Sequence, residues 1–181
     1  MKIFKYALLA IPFLYFSCSD DDDNTPEPIN EEEVITTMTV TLTDAMGNVV
    51  TMQTQDLDGD GPNEPVVSGG TLSAGTTYTG SIVWLNEMED PAEDITEEIL
   101  EEADEHQVIF SATGVVMDFT YSDFDSNNNP LGTQFELTTT DAGSGTVTIT
   151  LIHEPTKPND GTVDTAGGSI DIQTSFPVTV E

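Results

Sequence analysis

From Val34 to the last residues of this 181-residue chain, apolar side chains return at every second position with Thr, Ser or an acid between them. A period of two places successive side chains on opposite faces of an extended strand, so the pattern predicts half-buried β-sheet. Between Ile35 and Asp44 the inward row is Met38, Val40 and Leu42, with Thr outside. A Gly47-Asn48 turn leads into a second run through Gln55, which predicts a first hairpin. Later rows repeat the habit: Tyr78, Gly80, Ile82 and Trp84; Val108, Phe110 and Ala112; Met117, Phe119 and Tyr121; Phe135 and Leu137; Val147, Ile149 and Leu151; and Ile170, Ile172, Phe176, Val178 and Val180. About eight strands result, with Gly, Pro, Asn and Asp turns between them, and this spacing predicts an all-β fold, an immunoglobulin-like antiparallel β-sandwich.

One stretch breaks the alternation. From Glu87 to His106 the chain carries 11 acids and no Lys or Arg. At 100° per residue, Ala92, Ile95, Ile99 and Ala103 share one stripe, so a short acidic helix is expected between the strand ending near Leu85 and the one starting near His106. Asp90 is its expected N-cap, with Pro91 at the first helical position and Glu93 closing a capping box. Like charges at Asp94/Glu98 and Glu101/Glu105 oppose such a helix by a few tenths of a kcal/mol each, so packing of the stripe must hold it.

The formal net charge is −31, with 34 acids against three basic side chains. Two of those, Lys2 and Lys5, stand ahead of an apolar run within residues 1–17, a segment that reads as a secretory signal. The remaining cation, Lys157, is either a loop cation or a partner for the acidic helix. A field this negative repels nucleic-acid phosphates and anionic headgroups, and neither is an expected partner. The acids either keep a secreted domain soluble or gather cations.

Cys18, the only cysteine, directly follows Phe16 and Ser17 at the end of the signal, so no intrachain disulfide forms. The arrangement resembles the lipobox of bacterial lipoproteins, which implies lipidation of Cys18 and anchorage in a membrane through that lipid. Ser19-Asp20-Asp21-Asp22-Asp23 resembles the acidic export signal that sends Bacteroidota-type lipoproteins to the outer face of the outer membrane. With Asn24, Pro26 and Pro28, residues 18–33 read as a disordered acidic tether, leaving 34–181 as the sandwich domain.

Two constellations carry ligand chemistry. Asp56, Asp58 and Asp60 have the D-x-D-x-D-G spacing of a calcium loop, although Val67 stands where a bidentate Glu closes such a loop. The bland alternative is an acidic strand connection, and the Asx-rich run from Asp123 to Pro130 reads the same way. His106 opens one strand in phase with Val108 and Phe110, and His153 closes another in phase with Val147, Ile149 and Leu151. Both face inward at a rim of the sandwich. If the rims coincide, the two imidazoles with a carboxylate from Glu102 or Glu154 make a donor set for zinc or another transition metal. Otherwise each His is hydrogen-bonded at a core edge. Enzyme signatures such as G-x-S-x-G, H-E-x-x-H, the P-loop and the dinucleotide glycine pattern are absent, so a non-catalytic role is expected.

The segments CSDDDD, NEEEVITT, DLDGDGPNEP, EDITEEILEEADEHQ, SDFDSNNNPLGT and HEPTKPNDGT together resemble a family of small flavobacterial surface lipoproteins often labelled "type 1 periplasmic binding fold superfamily protein". That resemblance implies a lipid-anchored outer-membrane location near a TonB-dependent receptor. The label describes two α/β lobes, whereas one helix and alternating strands point to the all-β fold. Two functions remain: a surface binding module for zinc, calcium or a similar divalent ion serving an outer-membrane transporter, or a structural or adhesive lipoprotein with no small ligand.

Overall fold

The computed structural model describes residues 33–59 and 61–181. The signal segment, Cys18 and residues 18–32 of the tether lie outside them, as does Asp60. Among the described residues, eleven strands and two short helices follow one another: β1 (Thr37–Asp44), β2 (Val49–Gln55), β3 (Val66–Ser68), β4 (Gly70–Leu72), β5 (Thr77–Asn86), β6 (Glu93–Asp94), α1 (Ile95–Glu101), β7 (His106–Thr113), β8 (Met117–Tyr121), β9 (Gln134–Thr139), β10 (Gly143–His153), α2 (Val163–Ala166) and β11 (Ser169–Val180). One sheet has the order β3-β2-β1-β5-β9-β8, with β6 also pairing β5. The other has the order β4-β11-β10-β7. Every pairing is antiparallel except that of β4 with β11.

The two sheets pack through the rows that the alternation marks out. Met38, Val40 and Leu42 of β1 and Ile82 and Trp84 of β5 share one buried cluster with Val147, Ile149 and Leu151 of β10 and Phe176, Val178 and Val180 of β11. Each such side chain contributes about 1.5–3 kcal/mol when removed from water. The first hairpin forms as expected, with β1 and β2 antiparallel. Asp44 builds its turn by accepting from the backbone N–H of Met46 at 2.8 Å and of Asn48 at 2.9 Å, while Gly47 takes φ 85°. Gly80 pairs with Phe135 of β9, whose ring lies over it: a Cβ there would sit 2.4 Å from the ring.

The acidic helix is shorter than its apolar stripe suggests and starts later. Its N-cap is Asp94, not Asp90: the Asp94 carboxylate accepts from Thr96 N–H at 3.0 Å, and Glu93–Asp94 pair with β5. The chain offers two successive Asp-x-x-Glu boxes, Asp90 to Glu93 and Asp94 to Glu97, and burial chooses between them. Starting at Ile95 lets Ile95 and Ile99 reach the core while Thr96 exchanges hydrogen bonds with the Trp84 backbone, whereas Ala92 stays exposed. Two buried isoleucines outweigh the like-charge repulsion along the helix. Lys157 reaches this region from the loop after β10, donating to the Ala103 carbonyl at 2.7 Å and pairing with Asp125 at 3.3 Å. It is therefore a buried tie between the end of the helix and the 122–133 loop, where the sequence left a loop cation as the alternative. Burial holds its pKa below the ordinary lysine value although Asp125 pulls the other way.

In β11 the row reading needs one correction. Ile170 and Ile172 share a parity, yet Ile170 is 50 % exposed. The register between β10 and β11 slips between Leu151 and Ile152, which pair with Ile172 and Ile170, and the residue passed over is Asp171. A β-bulge of this kind re-aims one side chain, here a carboxylate.

Candidate metal centre

The last pair of the β7/β10 ladder is His106 opposite His153. Side chains on directly paired residues share a face and lie close together, so the ladder itself brings the two rings into contact. They stack with centroids 4.6 Å apart and planes inclined by 25°. The expected meeting of two inward histidines at one rim is thus realised, and both are shut away from solvent, at 0 % and 1 % exposed.

Two carboxylates complete the group. Glu33, just ahead of β1, places Oε1 3.0 Å from His106 Nε2 and Oε2 3.6 Å from His153 Nδ1. Its segment is pinned by Thr36, which donates backbone N–H to the Leu85 carbonyl at 3.0 Å and accepts from Glu87 N–H at 2.8 Å. Asp171, turned by the bulge, places Oδ2 3.9 Å from His106 Nε2 and Oδ1 3.8 Å from His153 Nδ1. The Glu33 and Asp171 side chains are 4 % and 0 % exposed. One ligand atom from each of the four residues lies within 4.8 Å of the others. Zinc bonds of about 2.0–2.2 Å in a tetrahedron put ligand atoms about 3.3–3.6 Å apart, so modest side-chain adjustment would let this quartet hold one ion.

The tautomer of His106 is set by its other nitrogen. Nδ1 lies 3.2 Å from the Glu102 carbonyl oxygen, which only accepts, so Nδ1 carries the hydrogen and Nε2 faces Glu33. Such a second contact is the usual orienting partner of a metal-bound imidazole. A lone pair on Nε2 and a carboxylate oxygen at 3.0 Å require a cation between them, either a proton or a metal ion. Burial works against an imidazolium here, yet the Glu33 hydrogen bond and charge raise the His106 pKa, and Glu33 is lowered in return against its own desolvation. Glu98 nearby is raised, by burial first and then by Glu33 and Glu102. The surroundings therefore reward an added positive charge.

The four residues named from the sequence do not all meet. His106 and His153 do. Glu102 lends the quartet its backbone carbonyl, because the helix ends at Glu101 and Glu102 is its exposed C-cap; its carboxylate instead gathers with Glu105 and His153 in a second group within 4.8 Å. Glu154, exposed at φ 51°, joins neither group; its backbone N–H bonds the Glu105 carbonyl at 2.6 Å. Glu33 and Asp171 were missed. The first falls on the expected tether, and the second hides in an alternation that runs through the bulge without a break. Asp56 and Asp58 belong to no group of three ligands among the described residues. Asp58 accepts from the Asn63 side chain at 2.7 Å, and Asp56 from Asp58 N–H at 3.4 Å. In the Asx-rich run, Asp125 is taken up by Asn127, Asn129 and Lys157, and Asp123 by Gly132, Thr133 and Gln134.

Compared with family models, curated proteins and solved structures, the chain matches none of them.

Proposed function

We propose that this protein is a non-catalytic binding module for a divalent transition-metal ion, held by Glu33, His106, His153 and Asp171. The observation that carries the reading is the buried two-imidazole, two-carboxylate group, whose members come from four separate segments and have ligand atoms within 4.8 Å of one another. Imidazole with carboxylate suits zinc and its neighbours better than calcium, which takes six to eight oxygens. The Nδ1 contact of His106 to a backbone carbonyl supplies the orienting partner such a ligand needs. Competition titration of zinc against a chelator tests the assignment. His106→Ala/His153→Ala should weaken binding beyond the roughly 10–100-fold loss typical of an orienting partner, with the far-ultraviolet spectrum unchanged. Equal affinity in wild type and double variant would leave the quartet as a structural ion pair only, and with it the scaffold reading of the protein.

The wider setting is part of the same proposal. The two-sheet body is an immunoglobulin-like sandwich, and lipid on Cys18 moors it at the outer face of the outer membrane, where it serves a TonB-dependent receptor as a metal-gathering accessory. The lipobox-like position of Cys18 and the Asp run after it support this, as does an acidity that draws cations and repels anionic surfaces. Palmitate labelling that vanishes in Cys18→Ala, and surface protease sensitivity that depends on Asp20–Asp23, are the expected results.

A further inference from the structure

We infer that Glu102 and Glu105 form an outer landing position from which an ion passes inward through His153, an inference that rests on the quartet being a metal centre. The quartet needs a way in, because its four side chains are at most 4 % exposed. Glu102 and Glu105, in contrast, are exposed, and an oxygen of each lies within 4.8 Å of a His153 ring nitrogen. His153 is thus the one residue common to the inner group and the outer one.

Two acids on a surface this negative would mean nothing alone. What singles them out is the imidazole behind them. His153 is 1 % exposed, yet neither of its ring nitrogens makes a hydrogen bond among the described residues. Buried polar atoms are nearly always hydrogen-bonded, and exceptions mark an ion, a water or a working part. The contrast with His106 is informative. There the Glu102 carbonyl dictates which nitrogen holds the hydrogen; no such partner dictates it for His153. A neutral imidazole has one lone pair, so His153 coordinates on one side at a time. With the hydrogen on Nε2, Nδ1 faces Glu33 and Asp171 and serves the inner position. With the hydrogen on Nδ1, the lone pair lies on Nε2, the ring nitrogen outside the contacts to Glu33 and Asp171. Exchange of one proton between the ring nitrogens, carried by water, moves the coordinating lone pair onto Nδ1 and so to the inner position. The Nδ1–H bond breaks as the Nε2–H bond forms, with water taking up one proton and giving back another, and no other covalent bond of the chain changes.

An entry position speeds loading and unloading alike and leaves the final affinity alone. The test uses the full chain and cobalt(II) alone as probe, with the rise of its tetrahedral visible bands followed by stopped flow, and zinc affinity measured separately by competition. Glu102→Gln/Glu105→Gln should load at least about tenfold more slowly, the scale of a lost charged approach, while its dissociation constant stays at the wild-type value. Glu97→Gln/Glu101→Gln removes the same charge from the adjoining helix α1, outside the group around His153, and should load at close to the wild-type rate. The inference is overturned if that control slows loading as much, if Glu102→Gln/Glu105→Gln loads normally, or if its affinity falls in step with its rate. Failure of the quartet reading looks different, as an affinity indifferent to Glu33→Gln, and the landing position falls with it.

Discussion

Ion capture by a buried quartet must register as folding stability, because the unfolded chain scatters the four ligands across residues 33 to 171. An ion that binds only the folded state stabilises it by RT ln(1 + [ion]/Kd), which grows by about 1.4 kcal/mol for each tenfold rise in free ion above Kd. For a folded part of about 150 residues the unfolding entropy near the midpoint is about 0.3 kcal/mol/K, so each decade of zinc should raise Tm by about 4 °C. The slope depends on stoichiometry and domain size, while the concentration at which the rise begins reports Kd. Differential scanning fluorimetry of the full chain across four decades of buffered free zinc measures both. Glu33→Gln keeps the side-chain volume and removes the carboxylate nearest to both imidazoles, so its curve should run parallel to wild type and begin at higher zinc. Calcium at the same concentrations should produce no comparable rise from this site, whose oxygens are too few for it. A wild-type slope that persists, with the same onset, in Glu33→Gln and in His106→Ala/His153→Ala would place the stabilising ion elsewhere on the acidic surface and refute the argument.

Gly168 stands at φ +71°, and a Cβ there would lie 2.1 Å from the His153 carbonyl oxygen, so Gly168→Ala should cost about 1–3 kcal/mol in chemical denaturation and weaken zinc binding by displacing His153. The folded pKa of Lys157 lies below its unfolded value, so between the two the unfolded state holds more protons and stability rises with pH. Lys157→Met should lack that alkaline rise in urea titrations, so the stability difference between wild type and variant should change with pH in that range. Asp44 is lowered, chiefly by the Asn48 side chain and backbone, so its contribution is full above the unfolded carboxylate range and is lost as pH falls through its folded pKa. Asp44→Ala should therefore be less stable than wild type near neutrality and converge with it in acid.

Much of this architecture was readable from particular residues. Thr-separated rows such as Met38, Val40, Leu42 fix which face each strand buries, and Asp44 with Gly47 marks the first turn. The same parity argument put His106 and His153 on inward faces at strand ends. It erred where two local signals competed: Asp90 and Asp94 both offer a capping box, and only the burial of Ile95 and Ile99 selects the second.

Periodicity thus determined the class of fold, the inward rows and the direction of both imidazoles, because a strand's side-chain parity is a local property of the backbone. The tertiary structure alone decided that β7 and β10 are neighbours in a register that sets His106 against His153, that a bulge turns Asp171 toward them, and that Glu33 closes the group. Strand pairing over such sequence separations is chosen by the packing of the whole sheet, and a bulge that leaves the apolar parity intact makes no mark on the chain that carries it.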